Sequence, residues 1–295
     1  MATPRELRRR IKSVKNISQV TRAMEAVSAS KMRRAQAQVL ATRPFAQKAW
    51  EIASFLARQA RAGRAPHSLL EQRDVQRSAF VLITPDKGLA GGMVANVIRA
   101  ANHFRRQQAK PLNMITVGRK GRDFFARYGG GIVAEFTRLG DNPPLSKITP
   151  ISRLVIDAFL KREFDAIYLG YTDFISPGQQ RPVVRQILPV QPVNPEEVGS
   201  ANFYPSYIYE PDEETLLEEL MPRLVEVQIY QGLLESLASE HSARMLAMRN
   251  ATNNAKDLVG NLTLTLNTVR QATITREMLD ITGGVEALRQ SRNGG

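Results

Sequence analysis

Residues 84–92, TPDKGLAGG, lie between strand-forming and helix-forming stretches, where a phosphate-binding loop would sit. Such a loop needs glycines that let backbone N–H groups close on the anion, and a P-loop adds a Gly-Lys-Ser/Thr ending. That ending is missing, and Gly88, Gly91 and Gly92 do not fall at G-x-G-x-x-G spacing. The stretch reads as a tight turn needing permissive backbone rather than as a nucleotide site. His67, His103 and His241 are far apart in sequence and show no metal-ligand spacing. No G-x-S-x-G elbow is present. The chain has no cysteine, which excludes disulfides, thiol catalysis and cysteine-based zinc sites. The pairs Glu213/Glu214 and Glu218/Glu219 fall early in a helix, where solvated acids are ordinary. No catalytic residue, metal site or cofactor is expected. In YIYEPD (207–212), Tyr207, Tyr209 and Glu210 could bind a polar partner or simply form an edge strand before a helix cap.

The elements around these residues are clearer than the residues themselves. From Arg5 to about Ala62 there is no glycine and one proline, Pro44, and Leu7, Ile11, Val14, Ile17, Val20, Met24 and Val27 mark an apolar helical stripe. Beyond it the expected seam residues are small, Ser28, Ala29, Ala35, Ala37 and Ala41, which allows close helix approach. Pro44 is expected to kink this helix without ending it. A second helix starts after Asp212, its expected N-cap. A strict heptad seam through 217, 220, 224, 227, 231, 234, 238, 241, 245, 248, 252, 255, 259, 262, 266, 269 and 273 is apolar except at Gln231, His241, Thr252 and Thr273. That pattern predicts a coiled coil whose polar interruptions fix its register.

Between the helices, SAFVLITP, NMITVG, AIYLGYTDF, PVVRQILPV and YIYE read as strands, and MVANVIRAANHFRRQ, GRDFFARYG and ISRLVIDAFLKREF as helices. This alternation predicts a Rossmann-like, mostly parallel, doubly wound α/β domain. The expected fold class is α/β plus a long coiled coil, with an antiparallel helix pair from the two terminal segments flanking the α/β domain. The expected domains are 1–65, 66–210 and 211–295.

The net charge of +13 is unevenly distributed: residues 1–65 carry 15 Lys+Arg against three acids, and 211–295 carry 8 against 12. A basic helix beside an acidic one favours the pairing, though each surface ion pair contributes only ~0.2–1 kcal/mol. The surplus positive charge suits an acidic partner surface or nucleic acid. The start MATPRELRRRIK is Arg-rich, but the helical pattern runs through it, so it is expected to be mature structure.

The helices are unequal, about 57 residues against about 77. The second should outrun its partner by about 20 residues, or roughly 30 Å. Past Val269 the seam would meet Thr273, Arg276, Asp280 and Gly283, while apolar residues move to Ile274, Met278, Ile281, Val285 and Leu288. The intramolecular partner is therefore expected to end near residue 270, with the tip buried in another protein; folding back or self-association is the alternative.

RRRIKSVKNISQVTRAMEAVSASKM, DKGLAGG, YIYEPD, ASEHSARMLAMRNATNNA and RQATITREMLDITGGVEAL together resemble the gamma subunit of F-type ATP synthases over essentially the full chain. The resemblance implies a central shaft turning inside a ring of alpha and beta subunits. It also implies a foot that is bound with the epsilon subunit to the c-ring, and no catalytic site on the shaft. Position by position, it implies ring contacts at Met24, Lys31, Arg244, Arg270, Gln271, Thr275 and Glu277. The bearing tip would be Ile274, Met278, Ile281, Val285 and Leu288, and the c-ring-side joint Tyr207, Tyr209 and Glu210. No cofactor is implied, and the membrane is reached only through the c-ring, on the cytoplasmic face of a bacterial plasma membrane. Two rival functions are a basic coiled coil binding nucleic acid, with steep salt dependence, and an enzyme using the α/β domain.

Overall fold

In a computed structural model, alternation in the first strand divides the protein's core in two. Residues 3–61, 67–191 and 213–293 are described, without the side chains of 45–47, 49–61, 213–214 and 286–293. The elements are α1 (Pro4–Arg61), β1 (Ser78–Ile83), α2 (Met93–Gln107), β2 (Leu112–Val117), α3 (Arg119–Arg127), β3 (Ile132–Phe136), α4 (Thr149–Leu160), β4 (Ala166–Ser176), β5 (Gln179–Leu188) and α5 (Glu213–Asn293). They form two compact units, Met1–Ala26 with Ala247–Gly295, and Val27–Leu246.

In the second unit the five strands lie in the order β3-β2-β1-β4-β5. β1 pairs in parallel with β2 and β4, β2 with β3, and β5 returns antiparallel along β4. Side chains alternate across the pleat. Ala79, Val81 and Ile83 pack with α4 and with Leu224, Val225, Leu234 and Ala238 of α5. Phe80 and Leu82 face Val97, Ile98 and Ala101 of α2 and Phe125 of α3. The mostly parallel sheet with helices on both faces is the expected architecture. β3 was not anticipated, because five residues between glycines and a loop give little periodicity. The expected strand YIYE and the expected cap Asp212 lie outside the described residues.

α5 comes close to β4 because its facing residues are small. A side chain at Gly232 would meet Leu169 at 3.1 Å. Ser236 Oγ accepts the Thr172 N–H at 3.1 Å, and Ser239 and Ser242 donate to the carbonyls of Thr172 and Pro177 at 3.2 and 2.6 Å. The opposite side of this stretch meets α1. Thr42 donates to Gln231 Oε1 at 2.8 Å, and Arg43 reaches the largely buried Glu235 at 3.7 Å. Lys31 and His241 share Asp141, at 2.6 and 3.7 Å. Residue 31 near 241 and residue 42 near 231 make the helices antiparallel, as expected. α1 runs unbroken through Pro44, and α5 through Pro222.

In the first unit the same two helices meet through a buried hydroxyl pair, Thr21 Oγ1 and Thr252 Oγ1, 2.7 Å apart. Stepping by threes and fours in opposite directions from that bond brings Val14 level with Val259, Ile11 with Leu262 and Leu7 with Leu266. All six are withdrawn at least partly from water, Leu7 to 3% exposure. The α5 seam holds as expected through Val269, and residues 270–285 are all exposed. The α1 stripe needs correction. After Val14 the inward positions are Ser18, Thr21, Ser28 and Met32, not Ile17, Val20 and Val27, which stand more than half exposed. Of the small residues expected on the seam, Ser28 and Ala35 are buried, whereas Ala37 and Ala41 are exposed. Heptad register, set by α5, overrides hydrophobicity here: small residues at the seam allow close approach and turn the branched ones outward.

The Thr21–Thr252 pair yields a test. Each hydroxyl also has a backbone acceptor, Ser18 O for Thr21 and Met248 O for Thr252. Thr252→Val should therefore cost only about 0.5–1.5 kcal/mol in urea unfolding, and Thr21→Val with Thr252→Val should recover part of that loss.

Candidate functional site

The loop after β1 has the position of a phosphate site but fills it with its own side chain. Asp86 Oδ1 accepts the N–H of Arg119, the first residue of α3, and Asp86 Oδ2 accepts the N–H of Arg138, both at 2.9 Å. A carboxylate thus takes the helix N-terminal charge that an anion would otherwise meet. Beside it lies a cleft of about 370 Å³ with Lys87, Arg119 and Arg138 opposite Asp141 and Glu240, so its charges are mixed rather than uniformly basic.

The histidines have structural roles. His67 Nδ1 accepts the Leu69 N–H at 3.1 Å. His103 pairs with Gln107, one turn along α2, at 3.0 Å. His241, 1% exposed, sits on the α5 seam, and neither ring nitrogen has a hydrogen bond. Burial pushes its pKa down to about 4, against the pull of Asp141 and helped by Arg244, Lys31 and Lys87. Among the described residues no carboxylate and histidine group could hold a metal ion, and no helix is long and apolar enough to cross a membrane.

His241 therefore links stability to acid. Between pH 6.5 and about 4 the unfolded chain takes a proton that the native chain refuses. Its contribution is complete above pH 6.5, declines as pH falls towards 4, and totals ~3 kcal/mol at most. His241→Gln should flatten the loss of stability between pH 7 and pH 5 in chemical denaturation; an unchanged slope would refute the assignment.

The residues expected to meet other subunits fall into several groups. In the first unit, Arg270, Gln271, Thr275 and Glu277 are exposed on α5 beyond the last seam residue. Ile274, Met278, Ile281 and Val285 share that stretch, with Ile281 68% exposed. Leu288 lies where side chains are not described. Met24 is half-buried on α1, near the exposed Ile17 and Val20; Val27, also exposed, is the first residue of the second unit. These three, with Leu264 and Leu279 on α5, are candidates that sequence patterning missed, since it had placed Ile17, Val20 and Val27 inside. Tyr207, Tyr209 and Glu210 lie outside the described residues.

In the second unit, Lys31 is held by Asp141, and Gln38, two turns on, bonds Asn142. The Asp141 carboxyl titrates below its usual range, because the Lys31 bond and the nearby cations outweigh burial, which acts the other way. Arg244, expected at the ring interface, is turned inward within this chain. It is 8% exposed, and its guanidinium is engaged by Glu240 and by the carbonyls of Lys87 and Gly88. Nothing in ASEHSARMLAMRNATNNA signalled that its arginine at 244 turns inward onto the glycine loop.

Comparisons with known proteins agree with this architecture. The family model described as ATP synthase matches residues 3–288. The ATP synthase gamma chain of Dehalococcoides mccartyi (strain CBDB1) is 48% identical over 288 residues, covering 98% of this chain and all of that one. That of Chloroflexus aurantiacus (strain J-10-fl) is 49% identical over 292 residues, covering 98% of this chain and 99% of that one. Among solved structures, a chain of the Euglena gracilis mitochondrial ATP synthase, from its OSCP/F1/c-ring portion, aligns at TM-score 0.71 with 18% identity, covering 98% of this chain and 95% of that one. A chain of the Tetrahymena thermophila mitochondrial ATP synthase central stalk and c-ring aligns at TM-score 0.60 with 22% identity, covering 79% of this chain and 99% of that one. With a family match over nearly its whole length and relatives near half identity, the chain belongs to the ATP synthase gamma-chain family.

Proposed function

We propose that the chain is the central rotor shaft of an F-type ATP synthase, passing rotation of the membrane c-ring to the catalytic alpha/beta ring without catalysing anything itself. The observation that carries this reading is the stretch 270–285 of α5. It continues as helix beyond Val269, the last seam residue withdrawn from water, with Ile274, Met278, Ile281 and Val285 exposed. An apolar helix tip that its own chain leaves bare suits a socket made by other subunits. Only contacts that differ between the identical subunits of a ring can shift their conformations in turn, and an asymmetric pair of unequal helices supplies that difference.

In this reading 1–65 and 211–295 form the shaft and 66–210 the foot. Met24, Lys31, Arg270, Gln271, Thr275 and Glu277 act at the alpha/beta ring, and Arg244 acts there from within the fold. Leu288 completes the bearing tip, and Tyr207, Tyr209 and Glu210 meet the c-ring side beside the epsilon subunit. The complex would sit on the cytoplasmic face of a bacterial plasma membrane. The relatives named as ATP synthase gamma chains support the assignment. The absence of native cysteine makes the test clean. A Met278→Cys chain should react quickly with a maleimide when free and slowly in the assembly that a tagged chain brings down. Equal rates in both states, or no ATPase-active assembly, would overturn the proposal.

A further inference from the structure

The glycine loop, no phosphate site, still has a costly and specific conformation. Leu89 sits at φ 63°, in the left-handed region that bulky residues avoid, and its side chain is 63% exposed, so no burial offsets the strain. The loop is fastened at three points. Asp86 is held by the backbone N–H groups of Arg119 and Arg138. Arg244 Nε and Nη2 both donate to Gly88 O, at 3.2 and 3.1 Å, and Nη2 also approaches Lys87 O at 3.4 Å and Glu240 Oε1 at 2.7 Å. Ala90, 1% exposed, is packed in a small apolar cluster with Met93 and Ala243. Arg244 and Ala243 are consecutive on α5, so the loop is clamped to that helix by adjacent residues. Between the clamped points only Lys87 and Leu89 stand exposed.

We infer that Arg244 is a positioning residue for coupling: seated on Glu240, it locks the glycine loop to α5 so that Leu89 is held outward in one orientation, and the loop rather than Arg244 bears on the surrounding subunit ring. The inference rests on the rotor reading above. Backbone strain that surrounding structure over-determines is found where it serves a function. A buried guanidinium gripping one carbonyl with two donors is the rigid fork that a lysine cannot reproduce. Force applied at Leu89 then passes through the clamp into α5 instead of being lost in a pliable turn.

The test uses the complete enzyme in sealed vesicles and reads protons pumped per ATP hydrolysed. Arg244→Gln should lower this ratio about threefold, for the loss of one or two hydrogen bonds' worth of positioning, and Leu89→Ser, which removes the bearing side chain itself, should lower it as well. The double variant should be no worse than either single one, because both changes disable the same contact. Arg244→Lys keeps the charge beside Glu240 but not the two-donor grip on Gly88 O, so it should recover only a small part of the loss. Multiplying effects in the double variant, or a wild-type ratio in Leu89→Ser, would overturn the inference. If Arg244→Gln does not assemble, Glu240→Gln takes its place: it should lower the ratio in the same direction without adding to Leu89→Ser, and wild-type coupling would count against the clamp. A wild-type enzyme that hydrolyses ATP without pumping would instead contradict the rotor reading itself.

Discussion

Gly118→Ala should abolish stable folding of the α/β unit. Gly118 sits at φ 96°, ψ 146°, a combination that residues with a side chain essentially do not adopt, at the corner where β2 turns into α3. An added Cβ would lie 1.8 Å from Thr84 O and 2.8 Å from Thr84 C, both backbone atoms that cannot rotate away. Thr84 cannot withdraw either. Its N–H donates to Val117 O at 2.8 Å, its hydroxyl reaches Val117 O and Gly118 O, and Thr84 Oγ1 accepts the Gly121 N–H at 2.9 Å. Strain and clash together exceed about 4 kcal/mol, a large share of the 5–15 kcal/mol that holds a domain. Circular dichroism and thermal unfolding of the purified chain would check this; a cooperative transition near the wild-type midpoint would show that the corner can relax.

Met278→Asp combined with Ile281→Asp should leave the free chain as stable as wild type and disable it in the complex. Both side chains are exposed in the chain alone, so charging them removes no internal contact. Buried in an apolar socket, each carboxylate would be desolvated without a partner, at several kcal/mol. Coupled ATP synthesis should fall on the order of tenfold or more, while thermal unfolding of the isolated protein stays unchanged. Equal destabilisation of the free chain would mean that the tip is held by its own fold.

What the sequence revealed, and what it hid, follows from how local each signal is. The α5 seam was legible to its last turn because a heptad written over seventeen positions averages out single exceptions. Two of its polar interruptions, Gln231 and Thr252, meet polar partners on α1, Thr42 and Thr21. The α1 seam was misread at Ile17, Val20 and Val27, which hydrophobicity favoured, whereas the register imposed from across the pair selects Ser18 and Thr21; Ser28 and Ala35, expected on the seam as small residues, are buried. The parallel strands announced themselves as continuous apolar runs. β3, on the sheet edge and only five residues long, did not. The glycine spacing told a tight turn from a P-loop pattern, but the loop's anchors could not be read. Asp86 bonds backbone groups 33 and 52 residues away, and Arg244 reaches 156 residues back to Gly88, separations at which sequence pattern carries no signal.

The central claim is that this chain turns inside a ring of other subunits, and single-molecule rotation tests it most directly. With the alpha/beta ring fixed to a surface and a probe attached to the α/β foot, ATP should drive continuous one-directional rotation of the probe. ATP hydrolysis at full rate with a stationary probe, on complexes verified to contain the chain, would contradict it.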